Sequence, residues 1–180
     1  NKNARSIFFK QSKKSMSPYT KNFLFALGAT VIWFFIMRPF TPPNIVAFEL
    51  AGSVDAAHAI ISNWSTEQNS NIKIGIYLDF VFIIAYCSAF MYASRAAASF
   101  SGIEFFIKTA QQATWIIWVA GMCDAIENIS LLTTLQEVTE RSVSIAFYTA
   151  TLKFSILLVT LAFVLIAVTA GMFKKITLQR

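Results

Sequence analysis

The chain of 180 residues has few charged residues, one histidine and two cysteines. Charged residues make up 13% of the sequence and hydrophobic residues 56%, whereas a soluble domain carries about 25% charged residues. This composition excludes a disordered chain and a soluble nucleic-acid-binding protein. The two cysteines, both within apolar segments, do not indicate a disulfide framework. A single histidine cannot form a multi-histidine metal site.

The sequence also lacks the short motifs that mark common catalytic sites. It contains no glycine-rich phosphate loop, HExxH, CxxC or GxSxG motif. We therefore assign no catalytic residue, and the sequence does not identify a cofactor or a metal.

The net charge of +6 comes from one end of the chain. Residues 1–21 contain six lysine and arginine residues and no acid, and the remaining basic and acidic residues cancel. We predict that this basic tail lies on the cytoplasmic side, where it can contact anionic lipid.

Four long apolar segments predict an all-α integral membrane protein. A transmembrane helix needs about 20 apolar residues, and no segment shows the alternation of a strand. The predicted fold is a four-transmembrane-helix bundle in a single membrane domain, 22–173, followed by a short basic tail, 174–180. No signal-peptidase cleavage motif follows the first segment, so we expect that helix to be retained. The predicted helices lie at about 22–40, 74–94, 109–135 and 142–173.

The distribution of basic residues predicts the orientation of the bundle. With the N-terminus in the cytoplasm, eleven lysine and arginine residues fall on the cytoplasmic side and three on the outer side. Basic residues concentrate on the cytoplasmic side of membrane proteins. Both termini are therefore predicted to be cytoplasmic.

The first outer loop, 41–73, is long enough to contain its own secondary structure. Pro42 and Pro43 should end the first helix, and Asn44 could cap a short amphipathic helix that continues to about Trp64. We expect this helix to lie on the membrane surface or over the mouth of the bundle. The polar residues 65–71 predict a turn that leads into the second helix.

Ionisable residues within membrane spans indicate candidate functional sites, because they are costly to insert. Asp79 and Asp124 each lie about five residues inside the outer ends of neighbouring antiparallel helices, which predicts the same depth of about 7–8 Å. Glu127 and Asn128 share a helical face with Asp124, since they follow it by three and four residues. Tyr86 lies about two turns from Asp79 on the same stripe. The predicted ligand-binding residues are Asp79, Tyr86, Asp124, Glu127 and Asn128.

Three further charged residues are predicted to support this site or to form ion pairs within it. Lys153 lies within the fourth apolar segment, where it is either buried or extends to the membrane surface. Arg38 ends the first helix and Glu49 lies in the outer loop. If Lys153 and Arg38 neutralise the acids, the same residues could serve only to fix the helices in register.

The favoured interpretation is a non-enzymatic membrane protein that binds a cation, a proton or a small amphiphile at the acidic site. It would act alone or as a subunit of a larger membrane complex. The alternatives are a structural subunit held by buried ion pairs and, less favoured, a lipid-acting enzyme, for which no nucleophile or metal is identifiable. The expected partners are the lipid bilayer and other membrane subunits or further copies of the chain, and not nucleic acid.

Two short motifs resemble those of uncharacterised bacterial four-helix membrane proteins. Residues 78–86 match L-D-F-x-F-x-x-x-Y, and residues 124–128 match D-x-x-E-N. An outer segment similar to 48–51 precedes them, so the resemblance covers about 45–135. It implies a location in the bacterial inner membrane and emphasises the same acidic residues. It implies no activity, because none is known for these proteins.

Overall fold

The computed structural model describes residues 16–178, and within this range the chain is helical without any strand. Four of the described helices are long and apolar enough to cross a membrane: α1, with the 3-10 turn that continues it, and α4, α5 and α6. This arrangement confirms the predicted all-α four-helix bundle. Most of the basic tail lies outside the described residues. The helices are α1 (Pro18–Met37), the 3-10 turn (Arg38–Phe40), α2 (Ile45–Glu49), α3 (Val54–Ser62), α4 (Thr66–Ser101), α5 (Glu104–Thr134) and α6 (Glu140–Thr177).

The second long helix begins earlier than the apolar pattern predicts. The turn predicted for residues 65–71 is wrong, because α4 already starts at Thr66. Ser65 and Gln68 form a capping box, in which each side chain accepts a hydrogen bond from the backbone of the other residue. A capping box satisfies backbone groups that the first helical turn leaves unpaired. Polar residues can therefore form the first turns of a helix whose apolar part starts later.

The outer loop contains two short helices in place of the single helix predicted for residues 44–64. The chain breaks between α2 and α3 at Gly52, whose φ of +67° suits glycine. The Ser53 side chain then caps α3 by accepting from the Ala56 backbone. Asn44 does not cap a helix through its side chain. Its Oδ1 instead accepts a hydrogen bond of 2.6 Å from Trp64 Nε1.

These two short helices cover one end of the bundle, which we call the capped end. Phe48, Ala57 and Trp64 are buried there and pack in one apolar cluster with residues of the long helices, including Ile72 and Leu131. The opposite end, which we call the terminal end, holds the start of α1 and the end of α6. The α4–α5 connection also lies there, at Gly102, whose φ of +58° ends α4. Lys174 Nζ donates a hydrogen bond to the Gly102 carbonyl.

Helix α4 is the centre of the bundle, because α1, α5 and α6 all pack against it. Helix α1 packs chiefly against α4, and Ala26 is its one buried residue. Trp33 Nε1 on α1 donates a hydrogen bond of 2.9 Å to the Leu78 carbonyl of α4. Because α1 packs chiefly against α4, a space remains between α1 and α6 near the capped end.

Candidate functional site

A cavity of about 470 Å³ occupies the space between α1 and α6, with α4 behind it. It is partly open, and Phe34, Phe82 and Phe154 contribute to its apolar wall. Asp79, Asp124, Asn128 and Lys153 also line the cavity, so charged groups meet an otherwise apolar space. The residues that share this cavity come from α1, α2, α4, α5 and α6 and from the turn after α1.

Lys153 is the centre of the charged cluster, although it lies in the middle of a membrane-spanning helix. Its exposed fraction is 5%, so it is buried and does not extend to the membrane surface. Lys153 Nζ lies 2.8 Å from Asp124 Oδ1, 2.8 Å from Glu127 Oε2 and 3.6 Å from Glu49 Oε2. These contacts connect α6 with α5 and with α2, which together with α3 forms what we call the cap. A buried charge is tolerated when such partners compensate it.

Asp124 has a partner at each carboxylate oxygen. Lys153 donates to Oδ1, and the Tyr86 hydroxyl donates to Oδ2 at 2.7 Å. The stripe on α4 relates Tyr86 to Asp79 in sequence, but the structure places its hydroxyl against Asp124. Hydrogen bonds to charged acceptors are stronger than those between neutral groups. Asp124 is therefore held by α4 and α6 in a fixed position.

Asp79 lies in the same cavity and has a neutral donor. Its Oδ2 accepts a hydrogen bond of 2.7 Å from Asn128 Nδ2, which joins α4 to α5. The side chains of Asp79 and Asp124 thus line one cavity, but they use different partners. No ion pair within residues 16–178 includes Asp79. Of the acids in the cavity wall, it is the one without a positive charge at ion-pair distance.

Glu127 lies behind Lys153 and is completely buried, with an exposed fraction of 0%. It is absent from the cavity wall. Its Oε2 is within ion-pair distance of Lys153 Nζ, yet neither Glu127 oxygen accepts a hydrogen bond of acceptable geometry from the described residues. The contact is therefore mainly electrostatic, since the attraction of an ammonium group for a carboxyl oxygen depends less on angle than a hydrogen bond does.

Glu49 reaches the cluster from the cap and lies outside the membrane-spanning helices. Its side chain is 14% exposed. Burial raises the pKa of the Glu49 carboxyl above its ordinary value, although the positive charge of Lys153 opposes the change. Glu49 therefore links the cap to α6 through an acid whose ionisation the surroundings disfavour.

The remaining predicted residue, Arg38, and the single histidine of the sequence lie at the edge of the site or away from it. Arg38 is exposed at the rim of the cavity, and the ion pairs found within residues 16–178 do not include it. His58 is also exposed on α3. Neither residue contributes a charge to the buried cluster.

Sequence reasoning did not identify the apolar wall of the cavity. Phe34 and Met37 of α1, Phe90 of α4 and Leu157 of α6 line it. In a sequence with 18 phenylalanines, no pattern distinguishes a cavity wall from a surface that faces lipid. The three residues Phe34, Met37 and Arg38 do share one face at helical spacing, which is the one signal present.

The described residues contain no cluster of three or more histidine, cysteine or acidic side chains arranged to hold a metal ion. The acids of the cluster surround a lysine ammonium group. Cys87 and Cys123 are both buried thiols. The arrangement can bind or exchange positive charge, because three carboxyl groups converge around one lysine and a fourth, Asp79, lines the same cavity.

Comparison with known proteins adds no family to this description. No protein-family model, curated protein sequence or solved structure matches the chain. The resemblance to bacterial four-helix membrane proteins therefore stays a prediction, and function has to be argued from the site itself.

Proposed function

We propose that this membrane protein binds a small amphiphile with a cationic head and an apolar tail in the cavity at the capped end of the bundle. The observation that carries the proposal is an excess of acid at the wall of an apolar, partly open cavity. Ligand sites are mostly apolar concave spaces with a few well-placed polar groups. The proposal joins two of the ligands expected from the sequence, a cation and a small amphiphile.

The charge of the cluster favours a cationic head. Glu49, Asp79, Asp124 and Glu127 are four carboxyl groups, whereas Lys153 is the one buried cation among the described residues. The carboxylate of Asp79 faces the cavity without an ion-pair partner. A ligand ammonium group beside Asp79 would supply the missing positive charge and could donate a hydrogen bond to the carboxylate.

The position of the cavity favours an apolar tail. The cavity lies between α1 and α6, and α1 packs chiefly on α4. Phe34, Phe154 and Leu157 form a wall that an alkyl chain could contact. A chain that leaves the bilayer between these helices would remain in apolar surroundings along its path.

Binding can be tested by thermal unfolding of the purified protein in lipid nanodiscs with three ligands of equal chain length. We expect decylamine to raise the unfolding temperature, decanol to raise it less, and decanoate not to raise it. A ligand that binds only the folded state stabilises it by RT ln(1 + [L]/Kd), about 2.7 kcal/mol at 100 times Kd. Equal shifts with all three ligands would contradict the proposal.

Two matched variants locate the effect. Asp79→Asn removes the unpaired cavity carboxylate and should abolish the decylamine shift. Glu104→Gln makes the same type of change at a side chain that is 80% exposed, so it should keep the wild-type shift. If Asp79→Asn still responds fully to decylamine, the head does not bind at this site.

A structural role is the second candidate, because the contacts of Lys153 join α2, α5 and α6. In that case the cluster fixes the helices and the cap, and the protein acts as a subunit of a membrane complex. The same experiment separates the two: a structural cluster predicts no selective stabilisation by decylamine in the wild type or in Glu104→Gln.

For orientation, we propose that the terminal end faces the cytoplasm of a bacterial cell. Four lysines lie within the first five or the last four residues of their helices at that end, namely Lys21, Lys108, Lys174 and Lys175, and basic residues favour the cytoplasmic side. Impermeant thiol labelling of a Ser62→Cys variant in intact cells tests this, since α3 would face outwards. Labelling that requires cell lysis would reverse the assignment.

A further inference from the structure

We infer that binding of a cationic ligand at the cavity expels a proton from the Glu127 carboxyl group, with Lys153 as the link between the two. The inference rests on the proposed function and concerns the regulation of the same site. It starts from the position of Lys153 Nζ, which lies 2.8 Å from both Asp124 Oδ1 and Glu127 Oε2. The ammonium group of Lys153 therefore contacts two carboxyl groups, that of Asp124 in the cavity wall and that of Glu127 behind it.

The groups that face Lys153 and Glu127 come from every neighbouring element. They are acids on three elements, with neutral donors beside them and an exposed arginine at the rim. Full ionisation of the acids would leave the buried cluster with an excess of negative charge, which is strongly disfavoured away from water. The empty site therefore retains protons. The groups are Glu49 on α2, Asp79 and Tyr86 on α4, Asp124, Glu127 and Asn128 on α5, and Arg38 after α1.

The geometry assigns one of these protons to Glu127. Asp124 accepts from Lys153 at one oxygen and from Tyr86 at the other, so both of its oxygens have donors. Glu127 is fully buried and lacks an accepted hydrogen bond at both oxygens within the described part of the chain. A buried carboxylate without a donor is costly, and a proton on this group removes its negative charge from the buried cluster.

A ligand cation changes the balance at Asp124. When the ligand ammonium lies between Asp79 and Asp124, it replaces Lys153 as the cation beside Asp124. The positive charge of Lys153 is then available to Glu127 only. The Glu127 O–H bond breaks, and its proton is released to water. One positive charge enters and one leaves, so the charge of the site is conserved. The release needs no oxidant or further reactant.

The test counts protons. Wild-type protein in weakly buffered nanodisc suspension is titrated with decyltrimethylammonium, whose permanent charge makes the protein the sole source of released protons. A pH indicator should report about one proton for each cation bound. In parallel, the Kd for this cation should fall about tenfold for each unit of increasing pH while the site is still protonated, as linkage requires.

The variant Glu127→Gln carries no titratable proton at this position. We expect it to bind the cation with about one proton fewer released for each cation and with a Kd that depends much less on pH, while Glu104→Gln behaves like the wild type. Binding by the wild type without release would overturn the inference and leave the proposed function standing. If Glu127→Gln releases as many protons as the wild type, the inference is also overturned. Absence of binding by the wild type would refute both proposals, and the wild-type proton count can still overturn the inference if Glu127→Gln fails to fold.

Discussion

The two halves of the bundle are held together in different ways. At the capped end, α4, α5 and α6 meet around Lys153 and its acids, and a cavity separates α1 from α6. At the terminal end, the same helices meet through small side chains, among them Ala97, Ala98 and Ala167. One set of helices thus combines close packing at one end with a charged, incompletely filled space at the other.

Gly171 shows how close the packing is at the terminal end. A Cβ atom added to it would lie 2.7 Å from the Ser101 Cα atom, which is backbone and cannot move aside. Small residues allow helices within membranes to approach in this way. By contrast, Gly28 on α1 has no atom within 4 Å of such a Cβ. Close approach also occurs beside the cavity, where a Cβ atom added to Gly75 would lie 2.6 Å from the Phe40 carbonyl oxygen, so the two ends differ in the charged cluster and the cavity at the capped end.

The largest effect should come from removing the buried cation of the capped end. Lys153→Met leaves Asp124 and Glu127 without their partner, and breaking a buried ion pair in this way costs about 3–5 kcal/mol. We expect the free energy of unfolding in detergent to fall by that amount at neutral pH. The loss should shrink at acidic pH, where the acids become protonated and no longer need a cation.

Lys108→Met is the matched control, because Lys108 pairs with Glu104 at the surface and its side chain is 72% exposed. Exposed ion pairs contribute little to stability, so this variant should stay close to the wild type. If both lysine variants lose the same stability, the buried cluster does not hold the capped end together.

A smaller loss should follow from filling the close contact at the terminal end. Gly171→Ala forces α6 away from Ser101, and overpacking of this kind costs about 1–3 kcal/mol. Unfolding measurements should show this loss while stabilisation by decylamine is retained, because the cavity lies at the other end of the bundle.

Gly28→Ala provides the control for this change. Its added methyl group meets open space, and alanine is favoured over glycine within a helix by up to about 1 kcal/mol. We therefore expect unchanged or slightly increased stability. A destabilised Gly28→Ala variant would show that glycine replacement itself, and not the contact with Ser101, causes the loss in Gly171→Ala.

The smallest predicted effect concerns pH and the link between the cap and α6. Because the pKa of Glu49 in the folded protein is above its ordinary value of 4.5, its contribution to stability is full below that pH and declines as the pH rises through the folded pKa. Glu49→Gln stays neutral throughout. Its free energy of unfolding should therefore fall less than that of the wild type as the pH rises above 4.5.

Glu67→Gln removes an exposed acid from the first turn of α4 and should follow the wild-type pH profile. If the pH profile of Glu49→Gln coincides with those of the wild type and Glu67→Gln, the ionisation of Glu49 does not change the free energy of unfolding.

The long helices could be predicted because apolar segments of such length require helical hydrogen bonding within a membrane. The ends of these helices could not be predicted. At the start of α4, for example, Thr66 and the residues after it are polar and resemble a turn. The Ser65–Gln68 capping box is visible only once both side chains are placed. The cap was partly predicted: helical spacing indicated a helix after Pro43, but the break at Gly52 divided it into two.

The candidate site was predictable to the extent that charge within an apolar span is conspicuous. Asp79, Asp124 and Lys153 stand out from their surroundings in the sequence, and spacing placed Glu127 and Asn128 on the face of Asp124. Spacing did not decide which partner each acid takes. Tyr86 follows the stripe of Asp79 yet donates to Asp124, because side chains on neighbouring helices meet according to rotation and depth, which one helix alone does not specify.

The sequence by itself determined that this protein is a bundle of four membrane-spanning helices, that its excess charge lies in one tail, and that a few charged residues lie among apolar ones. These properties follow from local composition and from the energy of placing charge in lipid. The tertiary structure alone decided that Lys153 is buried, that it is shared between Asp124 and Glu127, and that α1 leaves a cavity beside Asp79. Such features depend on how separate helices pack, and the residues that meet are 26 or more positions apart.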